Sequence, residues 1–351
     1  MSLSVGIVGL PNVGKSTLFN ALTKLQVEAS NYPFCTIEPN KGVVKVPDER
    51  LDKLSQIVTP KQIIPTTIEF IDIAGLVKNS HQGEGLGNQF LAHIRECDVI
   101  CLVLREFKDD NVSHTHGKIN PQDDKQIIIN ELINADLQTI EKKLVKTTKE
   151  AKGRDKELLF EKELLEKIKA YLEKGTMVRE LKLQEREREI ISELFLITNK
   201  PIIYIINTNA EYSNDDQDKN TIILNVKQEE EISKLPEEEQ DEYIKELKLD
   251  SSGLTKLIQA SYQILNLITF FTVQNNILQA WTIKQNTKAP QAAGRIHTDF
   301  EQGFIRVEII NWEKLIETGS EQSAREKGLI RTEGKDYIVQ DGDVCHFLFS
   351  K

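Results

Sequence analysis

Long apolar runs are absent from this 351-residue chain. No stretch approaches the ~18 apolar residues of a bilayer span. The opening MSLSVGIVGLPNVGKS carries no basic leader, and its apolar run is too short for a signal segment. A cytoplasmic protein with no membrane partner is therefore expected. Cysteine is scarce. Cys35, Cys97, Cys101 and Cys345 show no CxxC spacing and no histidine pairing of the zinc-finger kind, which argues against a disulfide scaffold or structural zinc. Cys97 and Cys101 flank the apolar DVI and are read as buried thiols. Positive charge is also in deficit: a net charge of -10 argues against a protein that coats nucleic acid, and no sequence-specific DNA binding is expected. Repeats and low-complexity tracts are missing as well. With 39% apolar and 28% charged residues, the composition is that of a folded chain, long enough for two or three domains.

The charge that is present is uneven. Residues 125–200 carry 17 basic and 15 acidic side chains, whereas residues 201–265 carry 6 and 14. The less acidic middle segment suits either a solvated helical surface or a polyanionic partner.

Periodicity divides the chain three ways. SVGIVG, TTIEFIDIAG, DVICLVL, IIYIIN and TIILNV are nearly continuous apolar strands, alternating with helical runs such as KSTLFNALTKL, NQFLAHIREC and LTKLIQASYQIL. That pattern predicts an α/β fold with a mostly parallel sheet covered on both faces, over residues 1–124 and 201–266. Between them, Ile133, Leu137, Ile140 and Leu144, then Leu158, Leu165, Ile168 and Leu172, step by three, four or seven. This predicts an antiparallel, coiled-coil-like helical arm over 125–200, with AKGRD near its turn. From 267 to 351, short β-like runs separated by TEGKD and QDGD predict a small α+β domain.

Chemistry concentrates in GLPNVGKS, Gly9–Ser16, which fits G-x-x-x-x-G-K-[ST] between a strand and a helix. Backbone N–H groups of Asn12, Val13, Gly14, Lys15, Ser16 and Thr17 are placed to wrap a phosphate, and a side chain at Gly14 would obstruct that approach. Lys15 supplies charge to the β- and γ-phosphates, and the Ser16 hydroxyl is a Mg2+ ligand. Asp72, in DIAG, is placed to hold a Mg2+-bound water, and the Gly75 N–H to approach the γ-phosphate. Thr36, in NYPFCTIEP, offers a second hydroxyl to the ion. Together these predict a P-loop nucleotide switch. Leu76 stands where many such switches write glutamine, and a leucine cannot orient a water. His114, in DDNVSHTHGK, is a candidate replacement; His81 and His116 are read as solvated loop residues. Arg95 and Arg105 are read as structural rather than as charge-stabilising fingers.

With GLPNVGKST, NYPFCTIEPN, DIAGLVKNSHQGEGLGNQFL and TKAPQAAGRIHTDFEQGF in one chain, the sequence resembles the Obg-like ATPase family, also called YchF, over essentially its whole length. The resemblance implies a G domain, an inserted helical arm, a C-terminal β-grasp domain of the TGS type, ATP preferred over GTP, and association with ribosomes. It implies that Ser16 and Thr36 ligate Mg2+, that Leu76 replaces the catalytic glutamine and that His114 positions water. Asn12 is similar to an asparagine that ligates K+ in related switches, so K+ is a further cofactor candidate.

The base pocket departs from both patterns. After IIYII, a GTP site would write Asn-Lys-x-Asp, and the family Asn-x-x-Glu; this chain writes NTNAEY, with Asn207, Thr208, Ala210 and Glu211. The guanine-directed carboxylate is gone. The Asn207 amide oxygen is read as a partner for the adenine 6-amino group, with backbone help from Thr208. LNVKQE, at 224–229, stands where guanine sites write Ser-Ala and gives guanine no support. A slow ATPase acting with the ribosome leads these readings. A GTPase of ribosome assembly and a nucleotide-sensing module with incidental turnover are the alternatives, and Lys284, Lys288, Arg295 and Arg306 are candidate RNA contacts.

Overall fold

A computed structural model describes residues 3–25, 40–73, 86–109, 112, 119–151, 155–210, 220–247, 249 and 251–350. Along the chain come β1 (Leu3–Val8), α1 (Lys15–Lys24), β2 (Lys41–Lys45), α2 (Glu49–Val58), β3 (Gln62–Ile64), β4 (Thr67–Asp72), α3 (Leu86–Glu96) and β5 (Val99–Arg105). Helices α4 (Pro121–Glu150), α5 (Lys156–Glu173) and α6 (Glu185–Ser192) follow, then β6 (Ile202–Asn207), β7 (Thr221–Leu224), α7 (Val226–Ile232), α8 (Glu237–Glu246) and α9 (Gly253–Gln263). The last part holds β8 (Leu267–Gln274), β9 (Ile277–Lys284), α10 (Ala289–Ile296), α11 (Thr298–Gln302), β10 (Phe304–Asn311), α12 (Trp312–Thr318), α13 (Glu321–Glu326), β11 (Arg331–Glu333) and β12 (Asp343–Phe349).

The first sheet runs β2-β4-β1-β5-β6-β7, and β1, β5, β6 and β7 pair in parallel. Every residue of β5 is buried, as a central parallel strand covered on both faces requires. Helices α4 and α5 pack on each other as an antiparallel hairpin, with Ile140 on one and Leu165, Ile168 and Leu172 on the other buried. Each helix begins at a side-chain cap: Asn120 accepts from Gln122 N–H, and Asp155 from Glu157 N–H. At the base of the hairpin, Asp136 on α4 is fully buried. Its carboxylate accepts from Ile197 N–H, Thr198 N–H and the Thr198 hydroxyl at 2.7–3.0 Å, and from Arg95 at 3.4 Å.

The second sheet runs β11-β10-β12-β8-β9-β3. Its two apolar faces are covered separately. Phe270, Val307, Ile309 and Phe347 pack against Ala289, Ala292 and Ala293 of α10; Phe271, Leu278, Ala280 and Ile310 pack against Leu51 and Leu54 of α2 and Leu315 of α12.

The chain forms two compact units, Met1–Val44 with Glu69–Lys256, and Lys45–Ile68 with Leu257–Lys351. The boundaries differ from those expected at 124/125, 200/201 and 266/267. The helical segment 125–200 lies within the same compact unit as the first sheet, because the lower half of α4 is buried and Asp136 is tied down there. Residues 45–68 group with the second unit: β3 adds in parallel to β9, and α2 buries its apolar stripe in the second core. An amphipathic helix declares that it is buried but not against what. Among the described residues, no helix is long and apolar enough to cross a membrane.

Candidate functional site

The phosphate loop leaves β1 and enters α1 through two left-handed residues, Asn12 (φ 62°) and Gly14 (φ 102°). Successive N–H groups in such a turn form an anion nest. Gly14 is also the N-cap of α1 and supplies no side-chain cap, so the first-turn N–H groups of α1 are left for an anion. Two contacts explain the glycines. A Cβ on Gly9 would lie 2.7 Å from the Val103 carbonyl oxygen, and a Cβ on Gly14 would strike the Asn207 amide nitrogen. The second clash is with protein, in addition to the obstruction of phosphate expected from the sequence.

Lys15, Ser16 and Asp72 come together because α1 begins beside the end of β4. The Lys15 ammonium is buried and donates to the Leu10 carbonyl at 2.8 Å; burial lowers its pKa, partly opposed by the Asp72 charge. The exposed Ser16 donates its hydroxyl to Asp72 at 3.3 Å. Burial raises the Asp72 pKa, against the pull of Lys15 and Ser16. A hydroxyl and a carboxylate side by side are hard oxygen donors that fit Mg2+, an ion that completes its octahedron with phosphate oxygens and water. Among the described residues no cluster of three or more His, Cys, Asp or Glu would cage a metal, so an ion here depends on the nucleotide for much of its shell.

Asn207 sits at the centre of four segments. Its amide N–H donates to the Val13 carbonyl at 2.9 Å, and its amide oxygen accepts from Val226 N–H at 3.1 Å. Its own carbonyl accepts from both Glu106 N–H (2.8 Å) and Phe107 N–H (3.0 Å). The residue is 6% exposed. Beyond its two side-chain bonds the amide oxygen keeps a second lone pair, which is the group expected to accept from the adenine 6-amino group, and the amide nitrogen keeps a second N–H. That N–H suits an acceptor such as purine N7, which adenine and guanine share. Thr208 is also buried; its N–H donates to the Leu224 carbonyl at 3.1 Å, and its hydroxyl accepts from Ala210 N–H at 3.1 Å. Asn209 reaches the Lys108 carbonyl at 3.1 Å, and Asn209 and Ala210 are exposed.

Val13 is buried, and Thr17 is half-buried on α1. Gly75, Thr36, Leu76, His81, His114, His116 and Glu211 lie outside the described residues. The sequence did not reveal the Val13 and Val226 partners of Asn207. Nor did it reveal Glu229, which is buried and accepts from the Gly253 and Leu254 N–H groups at the start of α9. Backbone partners leave no residue-type signal, and a glutamate in the acidic run KQEEE reads as solvated.

Residues 4–142 match the family model MMR_HSR1, described as a 50S ribosome-binding GTPase, and residues 267–350 match YchF-GTPase_C, described as a protein of unknown function (DUF933). The chain is 50% identical over 362 residues to the Ribosome-binding ATPase YchF of Escherichia coli O157:H7, with 100% of both chains covered. To the protein of that name in Bacillus subtilis (strain 168) it is 47% identical over 365 residues, again with 100% of both covered. Among solved structures it is similar to the Schizosaccharomyces pombe YchF GTPase, with a TM-score of 0.87 at 39% identity over 99% of this chain and 98% of that one. A phosphate loop, a second sheet matching the YchF C-terminal model and likeness along the full length agree: the chain belongs to the YchF family of P-loop nucleoside triphosphatases.

Proposed function

We propose that this protein is a slow Mg2+-dependent ATPase that acts on the ribosome and takes ATP in preference to GTP. The observation that carries the nucleotide preference is Ala210, standing where guanine recognition needs a carboxylate, just after Asn207, whose side chain is held between Val13 and Val226. The free Asn207 N–H suits N7 of either purine. Guanine N1–H and its 2-amino group find no side-chain acceptor in Ala210. Adenine loses nothing, because its N1 is an acceptor that a carboxylate would repel. In sites built on such hydrogen bonds the discrimination can reach ~10⁴.

Lys15 exchanges the Leu10 carbonyl for β- and γ-phosphate oxygens, and the loop N–H groups of residues 12–17 bind the phosphates beside it. Ser16, Thr36 and Asp72 hold the magnesium, which when bound neutralises charge on the phosphates. Gly75 N–H approaches the γ-phosphate. His114 orients the attacking water in place of Leu76, and with Arg95 and Arg105 bonded to protein groups rather than serving as fingers, unassisted turnover is slow. Asn12, exposed on the loop, is the K+ ligand; faster hydrolysis in KCl than in NaCl tests that role.

The relatives named as ribosome-binding support the partner, and so does the end of the α4–α5 hairpin. Lys142, Val145, Lys146 and Lys149 fall at i, i+3, i+4 and i+7 on one exposed face of α4, in a chain of net charge -10. A row of ammonium groups at helical spacing suits the phosphates of ribosomal RNA. Changing the three lysines to glutamate should release the protein from ribosomes in cosedimentation without altering ATP affinity.

The nucleotide preference is tested by titrating the nucleotide-free protein with ATP and GTP in Mg2+. ATP binding several-fold tighter supports it. GTP binding tighter would overturn it and return the protein to the GTPases, as the name of the S. pombe relative has it.

A further inference from the structure

Lys125, Arg179 and Tyr204 meet at the foot of the helical hairpin. Tyr204 lies in the middle of β6 and is 5% exposed. Side chains alternate along a strand, so Tyr204 points away from the face on which Asn207 meets Val13 and Val226. Over its ring, 3.8 Å from the centroid, stands the ammonium of Lys125, from the second turn of α4. To its hydroxyl oxygen one Nη of Arg179 donates at 3.1 Å. Arg179 belongs to the short 3-10 turn Val178–Glu180, where the chain returns from α5. Both cations are half-buried.

What these groups lack is an acceptor. Among the described residues, neither Lys125 nor Arg179 forms an ion pair with a carboxylate, and the Tyr204 O–H proton has no acceptor. Acidic residues are not in short supply: the chain has 55 against 45 basic ones. In the same helical segment Lys143, Lys167 and Lys169 each meet a glutamate at 2.8–2.9 Å. Arg179 keeps most of its five N–H donors after the bond to Tyr204, and Lys125 keeps all of its own. Two cations drawn together out of bulk water repel each other, and the π face of the ring offsets only part of that cost. An anion between them would remove it. The donor set narrows the choice: a guanidinium fork, a lysine point charge and a hydroxyl together suit the oxygens of a phosphate, whose charge of about -1.5 to -2 as a monoester matches theirs.

We propose that Lys125, Arg179 and the Tyr204 hydroxyl bind a phosphate group at a second site, on the sheet face opposite the one that carries Asn207. A phosphate held there joins the start of the hairpin, its return at Val178–Glu180 and β6, and so ties down the foot of the arm. A small phosphate or phosphate ester and the backbone of RNA share this chemistry.

Inorganic phosphate is the probe. The full chain is first saturated with Mg2+ and a non-hydrolysable ATP analogue, which fills the phosphate loop, and is then titrated calorimetrically at constant ionic strength. One phosphate per chain should bind, with a millimolar or tighter Kd. Arg179→Gln and Lys125→Gln should each weaken that binding about tenfold or more, because a charge-assisted partner is lost. Affinity for the ATP analogue should not change. Tyr204→Phe keeps the ring beneath Lys125 and removes one neutral hydrogen bond, so a loss of about two- to fivefold is expected. It also serves as the test should Arg179→Gln fail to fold. No phosphate binding up to about 20 mM, well above a millimolar Kd, overturns the proposal. So does phosphate binding that none of the variants weakens, or an equal loss of phosphate and ATP-analogue affinity, which marks a merely structural cluster. A single-stranded RNA without terminal phosphates then separates the sources. Displacement of the bound phosphate by RNA, lost in Arg179→Gln, assigns the site to an RNA backbone; phosphate that stays bound at saturating RNA assigns it to a free phosphate or monoester. Either result upholds the site.

Discussion

Replacing Asn207 by alanine separates a structural stitch from a ligand group. The substitution strands the Val13 carbonyl and the Val226 N–H, both buried, by deleting bonds of 2.9 and 3.1 Å. Each of the two stranded groups costs about 1–3 kcal/mol, so the nucleotide-free protein should lose ~2–6 kcal/mol. For a unit of this size 1 kcal/mol moves Tm by about 2–4 °C, which places the expected drop at about 4–24 °C. The assay is thermal unfolding without nucleotide, paired with ATP and GTP titrations below the new Tm. On the proposal that the remaining amide N–H meets N7, an atom common to both purines, ATP and GTP affinities should fall by the same factor, within about threefold. Asn207→Asp keeps an acceptor for Val226 but sets a carboxylate oxygen against the Val13 carbonyl, and should be at least as unstable. An unchanged Tm with a loss of ATP affinity alone would refute the reasoning, and would mean that the Asn207 oxygen reads the adenine amino group after all.

Three further outcomes are expected. Gly14→Ala forces a left-handed residue to carry a Cβ into the Asn207 amide, and should lower both Tm and nucleotide affinity, the latter at least tenfold by titration. Burial holds the Asp136 carboxyl above its ordinary value of 3.8, so the native state keeps a proton that the unfolded chain gives up. The stability this contributes is fully present below pH 3.8 and is lost as pH rises through the raised native value. Asp136→Asn should flatten that part of a Tm–pH curve. Leu54→Ala, fully buried under the second sheet, should cost about 2–5 kcal/mol, and hydrogen exchange should report the loosening in β8 and β9 rather than in β5 and β6.

What the sequence could show follows from what each signal depends on. The parallel strands were legible because covering both faces of β5 and β6 demands unbroken apolar runs. The helical hairpin was legible because Leu165, Ile168 and Leu172 must meet Ile140 at helical spacing. Lys15, Ser16 and Asp72 were legible because anion nests and hard cations accept few residue types. The rest turns on partners rather than on residue types. Asn207 is marked by its neighbours in NTNA, yet its bonds go to two backbone groups far away in the chain. Leu51 and Leu54 show an amphipathic helix but not which core receives it, and so 45–68 was assigned by continuity to the wrong unit. Arg105 is one arginine in a charged chain until three carbonyls, those of Phe107, Asp109 and Val112, are seen around it.

The route of residues 45–68 has a consequence for the growing polypeptide. Among the described residues strand β3 borders only β9 in its sheet, and the pairing begins at Ile277, roughly 200 residues after Gln62. At ~5–20 residues per second, that partner is made about 10–40 s later. Throughout that interval the apolar stripe of α2 and the hydrogen-bonding edge of β3 have no seat, while β1 and β5 are free to pair. The first half of the chain therefore emerges with a sticky segment spliced into it, and the protein cannot hide that segment until nearly all of its own synthesis is done.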